Sequence, residues 1–171
     1  VADHLVSLGF EVTRGLGGTG VVGRLRRGHG PRRLGLRADL DALPIQEQTG
    51  LAHASRHEGV MHACGHDAHV AILMAAAEIF AKNKAELPGT VKLVFQPAEE
   101  GLPKGEAGGA RQMLKEGAFE SPKPDIVLGL HVGSNLHAGT LGFRPGPRNA
   151  GADVFRITVK GRQTHGASPW R

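Results

Sequence analysis

AHVAILMAAAEIFAKNKAELPGTVKLVFQ, residues 68–96, joins a helical pattern directly to a short apolar strand. Residues 68–84 are rich in alanine and apolar over most of the helical circumference, which predicts a long and largely buried helix. Pro88 and Gly89 end that unit, and the apolar run at 91–96 predicts a strand. A helix followed at once by a buried strand is the unit from which α/β proteins are built.

Similar patterns extend on both sides of this unit. Apolar alternation predicts strands within residues 11–25, EVTRGLGGTGVVGRL, and at 32–40, RRLGLRADL. Further along, GGARQMLKEGAF predicts a helix that closes near Gly117, and DIVLGLHV at 125–132 predicts another buried strand. We therefore expect an α/β fold with a mainly parallel sheet flanked by helices.

The sequence becomes rich in glycine and proline after Gly139. Residues 140–151, TLGFRPGPRNAG, predict a strand and then a hinge, and ADVFRITVKG at 152–161 alternates like a half-exposed strand. We divide the chain into a first domain, 1–147, and the beginning of a second domain, 148–171. Because the first residues resemble the middle of an amphipathic helix, we expect an excised segment of a longer protein.

Composition excludes a membrane protein. The longest apolar run, VAILMAAA at 70–77, is too short to span a bilayer, so we expect no membrane partner. With one cysteine, the chain cannot form an internal disulfide. A free thiol suits a reducing compartment, and we expect a cytoplasmic location.

The formal net charge of +5 comes largely from RLRRGHGPRR, residues 24–33. We interpret this stretch as a solvated hairpin tip. A nucleic-acid binder would favour aromatic side chains for stacking, whereas aromatic content is 4% and the chain has no tyrosine. We therefore expect no nucleic-acid partner, and the positive surface could instead attract a carboxylate substrate.

The densest cluster of chemically active side chains is MHACGHDAH, residues 61–69. Its potential ligands are His62, Cys64, His66, Asp67 and His69. A thiolate beside an imidazole can bind a borderline metal, and the predicted helix that follows favours an anionic ligand at its N-terminus. Two alternatives for Cys64 remain, a small buried hydrophobic residue or a nucleophile paired with a histidine. The second would leave the nearby carboxylates without a role.

Polar side chains follow three of the predicted strands. Asp39 and Asp41 end one strand, Glu99 and Glu100 follow another, and His131 closes a third. In open α/β sheets, ligands bind beyond the carboxyl ends of the strands. We therefore expect these three segments to meet at one edge of the sheet.

Adjacent residues on an extended chain point in different directions, so Glu99 and Glu100 can hold different roles. One can bind metal while the other acts as a general base toward water. Taken alone, His131 could be a hydrogen-bonded core histidine, and Asp41 could orient a ligand. His62 and His69 could line the pocket or accept a structural hydrogen bond.

The ligand types indicate an open, catalytic site. A structural zinc module commonly needs several cysteines, and this chain has one. A mixed set of thiolate, imidazole and carboxylate suits a site for divalent metal ions, of which we expect two, and Zn, Mn, Co and Ni are all compatible with it.

Six segments resemble the metal-dependent amidohydrolases related to aminoacylases and carboxypeptidases, including hippurate hydrolase, N-acyl-amino-acid amidohydrolase and indoleacetyl-amino-acid hydrolases. In family order they are LRADLDALPI, GVMHACGHDAHVA, VFQPAEEG, GGARQMLKEGAF, GLHV and KGRQTHGASP. The resemblance implies a set of metal ligands: Cys64, His66, Glu100 and His131. It also implies Glu99 as the catalytic acid/base and His165 as a group that stabilises the oxyanion, in the same or a neighbouring subunit.

The resemblance further implies a phosphorylase/hydrolase-like catalytic domain with an inserted α+β lid that dimerises, of which 148–171 would be the beginning. The expected activity is hydrolysis of the amide bond of N-acyl-amino acids or short peptides by a metal-activated water. The alternative is a metal-binding relative without turnover. We expect a homodimer at full length and an inactive segment in isolation, since a further histidine ligand belongs to the family's C-terminal part. Gly133, Ser134 and Trp170 depart from frequent family residues and leave the substrate preference open.

Overall fold

The computed structural model describes residues 1–83, 88–102, 105–147, 149–151, 153 and 155–170. The helices within these residues are α1 (Ala2–Ser7), α2 (His66–Lys82) and α3 (Gly109–Lys115). The strands are β1 (Glu11–Leu16), β2 (Gly20–Arg27), β3 (Arg32–Asp39), β4 (Gly89–Gln96) and β5 (Ile126–Gly129).

The strands form a sheet in the order β1-β2-β4-β3-β5. β2 is antiparallel to β1 and to β4, whereas β3 is parallel to β4 and to β5. The short turn at residues 17–19 makes the first pairing antiparallel, and the crossover through α2 makes β3 and β4 parallel. The predicted α/β class is confirmed, as a mixed sheet in which β4, β3 and β5 form the parallel part.

The arginine-rich stretch 24–33 is not the tip of a hairpin, so that interpretation was wrong. It runs from β2 into β3, and β4 lies between these two strands. Arg24 forms an ion pair with Glu11 on the neighbouring strand β1, while Arg26, Arg32 and Arg33 are exposed. The stretch therefore crosses the end of the sheet, with three of its arginines in solvent.

Helices cover both faces of the sheet. Along β4, Leu93 and Phe95 face one core while Val94 faces the other, as expected for alternating side chains of a central strand. The core under α1 and α2 consists of Leu5, Phe10, Leu25, Ala38, Leu73, Ala77, Ala81, Val91, Leu93 and Phe95. The core under α3 consists of Val22, Val94, Met113 and Ala118. The central position of β4 explains why its sequence is almost continuously apolar.

Helix α2 differs from its prediction in two respects. It begins at His66, two residues before the predicted start, and it is buried along one stripe only. Ile72 and Ile79 are 45% and 58% exposed, because the sheet covers a single side of the helix. The predicted end at residue 84 lies outside the described residues.

Strand β5 is exposed, which corrects the prediction of a buried strand. Ile126 and Leu128 are 54% and 50% exposed, since β5 lies at the edge of the described sheet and pairs only with β3. The strand ends at Gly129, so His131 lies two residues beyond it. An apolar run predicted the strand correctly but not the number of its neighbours.

The chain divides into two compact units, Val1–Gly133 and Ser134–Arg171. The described residues of the second unit form turns and irregular backbone, so the strands predicted within 140–151 and at 152–161 are absent from those that are described. Phe155, Ile157 and Val159 are 85%, 86% and 88% exposed, because no described strand lies beside them to pair with. The proposed boundary between residues 147 and 148 stays a prediction.

Among the described residues, no helix has both the length and the apolar character that a transmembrane helix requires.

Candidate metal centre

The parallel part of the sheet brings three segments together at its carboxyl edge. Asp39 is the last residue of β3 and pairs in register with Gln96, the last residue of β4. Glu99 and Glu100 follow β4, and His131 follows β5. Helix α2 begins at the same edge, so the structure brings together the three segments that carry predicted ligands and the strand end that carries Asp39 and Asp41.

His66, the first residue of α2, is fully buried. Its Nδ1 lies 3.1 Å from the carbonyl oxygen of Asp41 and 3.2 Å from Oδ1 of the same residue. Both neighbours are acceptors, so Nδ1 carries the proton and Nε2 keeps its lone pair. Among the described residues, this buried Nε2 has no hydrogen-bond partner.

Three carboxylates surround that nitrogen. Nε2 of His66 lies 3.7 Å from Asp39, 3.9 Å from Glu99 and 3.7 Å from Glu100. An unpartnered imidazole lone pair with three carboxylates around it is an arrangement that a bound cation would satisfy. The donor set therefore fits a divalent metal ion.

The Nε2 of His131 also keeps its lone pair. Its Nδ1 lies 2.7 Å from the carbonyl oxygen of Val132 and donates to it, which leaves Nε2 facing Sγ of Cys64 at 3.4 Å. The potential ligand atoms of Cys64, His66 and Glu100 all lie within 4.8 Å of one another. The four predicted metal ligands therefore lie side by side in the structure.

His69 lies in the same cluster, but both of its ring nitrogens are already hydrogen-bonded. Nδ1 lies 2.5 Å from Oδ1 of Asp39, and Nε2 accepts the backbone N–H of Val132 at 2.9 Å. Of the two roles left open for His69, the structural hydrogen bond is the one observed. The other open residue, His62, is exposed.

The carboxylates oppose ionisation of the cysteine. A hydrogen bond with Glu100, then burial, and then the charges of Glu100, Glu99 and Asp39 raise the pKa of Cys64 to about 11. The thiol is therefore protonated at neutral pH, which disfavours its use as a free nucleophile. A bound cation would reverse this balance, since it stabilises the thiolate.

Sequence reasoning missed the network beneath the cluster. Arg37 donates to Oδ2 of Asp39 at 2.7 Å and twice to Oε1 of Gln96, at 2.9 and 2.7 Å. Burial alone raises the pKa of Asp39, but the hydrogen bond from His69 and the charge of Arg37 outweigh it and hold that pKa below its usual value. The available signal was the period of two along β3, which places Arg37 and Asp39 on the same face.

Glu99 and Glu100 do not diverge as their adjacency predicted. Ala98 has a φ of 50°, in the left-handed region, and the chain bends there instead of continuing extended. Both carboxylates consequently approach Nε2 of His66. Asp41 also contacts this bend, since its Oδ2 accepts the backbone N–H of Glu100 at 3.0 Å.

His165 belongs to the second compact unit. It lies in a turn in which its Nδ1 accepts the backbone N–H of Ala167 at 3.2 Å, and it is exposed. The role predicted for it stays a prediction.

Comparison with known proteins gives consistent matches over nearly the whole chain. It is 44% identical over 170 residues to thermostable carboxypeptidase 1 of Saccharolobus solfataricus, a match that covers 99% of this chain and 42% of that protein. It is 44% identical over 172 residues to hippurate hydrolase of Campylobacter jejuni, with 99% and 42% covered. The chain thus spans about 42% of the length of these curated relatives.

The fold matches a solved structure as well. The YxeP protein of Bacillus subtilis, described as a dinuclear metal-binding peptidase from the M20 family, aligns with a TM-score of 0.68 at 38% identity, covering 78% of this chain and 36% of that one. Residues 35–171 match the family described as Peptidase family M20/M25/M40. The resemblance inferred from the sequence is confirmed, and the chain belongs to the M20/M25/M40 peptidase family.

Proposed function

We propose that the complete protein hydrolyses the amide bond of N-acyl-amino acids or short peptides. The observation that carries this proposal is the buried Nε2 of His66, which faces three carboxylates without a hydrogen bond among the described residues. A site of this kind at the carboxyl edge of an α/β sheet suits metal-dependent hydrolysis. The names of the relatives, a carboxypeptidase and a hippurate hydrolase, support the same reaction class.

In this proposal the metal ligands are Cys64, His66, Glu100 and His131, and the site binds two divalent cations. Thiolate and imidazole ligands favour zinc, and carboxylate ligands suit manganese, so these two metals are preferred, with cobalt or nickel as substitutes. When bound, such cations lower the pKa of a water molecule and polarise the substrate carbonyl. The description of YxeP as dinuclear supports the number of two.

Glu99 is the proposed acid/base. Its carboxylate lies at the same edge as the ligands, and its side chain is 41% exposed, so it can reach a substrate from the solvent side. We assign it the removal of a proton from the attacking water and the delivery of that proton to the leaving amine. Glu100, 27% exposed and tied to Asp41 through its backbone, suits the more fixed role of a ligand.

Three further features of the proposal rest on the family resemblance and on composition. His165 stabilises the oxyanion, and the complete protein forms a homodimer. The single free cysteine supports a cytoplasmic location.

The test compares Glu99→Gln with the wild type in the complete protein. Metal content is measured by elemental analysis, and turnover is measured on a panel of N-acyl-amino acids that includes N-benzoylglycine. We expect unchanged metal content and a loss of kcat of about 10²–10⁴-fold, because the substitution removes only the proton acceptor. Glu58→Gln is the matched control, since Glu58 is exposed and belongs to neither group of potential metal ligands among the described residues.

Equal turnover by Glu99→Gln would contradict the assignment of the acid/base. A wild-type protein that binds metal in stoichiometric amounts but hydrolyses no member of the panel would instead support a metal-binding relative without turnover.

A further inference from the structure

We propose that His69 is a positioning residue that holds His131 in place for metal binding. It acts through Val132, whose N–H bonds to His69 and whose carbonyl accepts Nδ1–H of His131. The inference rests on the proposed function, because it assigns His131 as a ligand. It gives His69 a role that differs from that of His66, although both histidines lie in the first turn of α2.

Two hydrogen bonds hold the His69 ring in one protonation state. His69 is 2% exposed, and its Nδ1 faces Oδ1 of Asp39 at 2.5 Å while its Nε2 faces the N–H of Val132. A carboxylate can only accept from Nδ1, and an amide can only donate to Nε2, so a single tautomer satisfies both contacts. This ring has no lone pair left for a metal ion.

Asp39, the partner of His69, is itself held by the sheet. Oδ2 of Asp39 accepts from Arg37 at 2.7 Å, and Arg37 also donates twice to Gln96. Asp39 and Gln96 are paired residues at the ends of β3 and β4. The His69 ring is therefore hydrogen-bonded to the end of β3 and, through Arg37, connected to the end of β4.

The segment beyond β5 needs such an anchor. β5 has four residues, lies at the edge of the described sheet and ends at Gly129, so Leu130, His131 and Val132 have no strand ladder among the described residues to hold them. His69 supplies the missing acceptor to Val132, and its ring contacts the His131 ring edge-on at a centroid distance of 4.5 Å. The imidazole thus fixes both the backbone and the ring orientation of the proposed ligand.

Two substitutions each remove one of the two hydrogen bonds of His69, the one to Asp39 or the one from Val132. In His69→Asn the side-chain amide can donate to Asp39 but is too short to accept from Val132. In His69→Gln the amide oxygen can take the place of Nε2 and accept from Val132, while the donor to Asp39 is lost. The inference predicts that the second variant retains metal binding better than the first.

The experiment titrates the metal-free complete protein with Co²⁺ and records both affinity and the visible absorption spectrum. We expect His69→Asn to weaken Co²⁺ affinity by about 10–100-fold, the usual effect of removing a group that orients a ligand, and to change the ligand-field bands. His69→Gln is expected to stay within about threefold of the wild type with its bands retained. His57→Asn, a substitution of an exposed loop histidine, is the control and is expected to match the wild type.

The outcomes separate this inference from the proposed function. If the folded wild type binds no Co²⁺, the metal centre itself is wrong. If the wild type binds and a folded His69→Asn shows the same affinity and spectrum, the role of His69 is wrong while the metal centre stands. Circular dichroism checks folding, and should His69→Asn not fold, loss of Co²⁺ binding by a folded His69→Gln would equally overturn the inference.

Discussion

Oδ1 of Asp41 lies 3.2 Å from Nδ1 of His66, and the other oxygen of the same carboxylate accepts the backbone N–H of Glu100. One side chain therefore orients two proposed ligands that come from different segments. Removing a group that orients a metal ligand commonly lowers metal affinity by about 10–100-fold.

We predict that Asp41→Ala lowers the Zn²⁺ affinity of the complete protein by about 10–100-fold, because Glu100 loses the acceptor of its backbone N–H and His66 keeps only the carbonyl oxygen of residue 41 as an acceptor. Competition with a chromophoric chelator measures the change. Asp153→Asn, which neutralises an exposed aspartate of the second compact unit, is the control. Wild-type affinity in Asp41→Ala would show that Asp41 does not orient the ligands.

The raised pKa of Cys64 predicts slow alkylation of the metal-free protein. Since the pKa is raised from 9.0 to about 11, the thiolate fraction at pH 8 should be about one-hundredth of that of an ordinary cysteine thiol. The rate of reaction with iodoacetamide should rise steadily as the pH is increased toward 11. Glu100→Gln should accelerate alkylation at pH 8, because the hydrogen bond with Glu100 is the largest cause of the raised pKa and the charge of Glu100 adds to it after burial. Rapid alkylation of the wild type at pH 8 would contradict this description.

Gly65 is constrained both by its backbone and by a neighbour. Its φ is 79°, and a Cβ at this position would lie 2.6 Å from Cγ2 of Val132. We predict that Gly65→Ala lowers the free energy of unfolding by about 1–2 kcal/mol through backbone strain, with about 1–3 kcal/mol more from the contact. Gly59→Ala is the matched control, because Gly59 has a φ of 71° and open space around its Cβ position. Equal losses in the two variants, measured by urea denaturation, would exclude the contact with Val132.

Asp39 predicts a dependence of stability on pH. Its pKa is held below the usual value in the folded protein, so its contribution is present above the ordinary pKa of aspartate and is lost as the pH falls through the lower folded value. Asp39→Asn should therefore lower the free energy of unfolding at pH 7 by about 1.5–3 kcal/mol, the size of a hydrogen bond to a charged group. The difference from the wild type should shrink below about pH 4. Urea denaturation between pH 7 and pH 3 measures it, and a difference that is constant over this range would refute the prediction.

The site was largely predictable because it depends on strand order along the chain. Asp39, Glu99 and His131 each follow an apolar run, and parallel strands place their carboxyl ends at one edge. The residue types alone then indicated a metal ion. No knowledge of packing was required for this part.

Features that depend on neighbours were not predictable in the same way. The apolar run of β5 predicts a strand whether it is central or at an edge, and only the sheet order shows that Ile126 and Leu128 are exposed. The alanine-rich sequence of α2 likewise does not reveal that Ile79 faces solvent. Burial depends on which elements pack against a strand or helix, and the local sequence does not contain this information.

The network around Asp39 illustrates a second limit. Arg37 and His69 lie on different elements, and neither residue suggests by itself that both donate to one carboxylate. The bend at Ala98, where φ is positive without a glycine, also had no sequence signal. These features arise from tertiary contacts that override local preference.

The central claim is that Cys64, His66, Glu100 and His131 bind divalent metal ions together. The most direct measurement is anomalous X-ray scattering from crystals of the complete protein grown with Zn²⁺. We predict anomalous peaks at about 2.3 Å from Sγ of Cys64 and about 2.0–2.1 Å from Nε2 of His66 and of His131. Peaks that lie away from these three atoms, with Nε2 of His66 bound to no cation, would contradict the account.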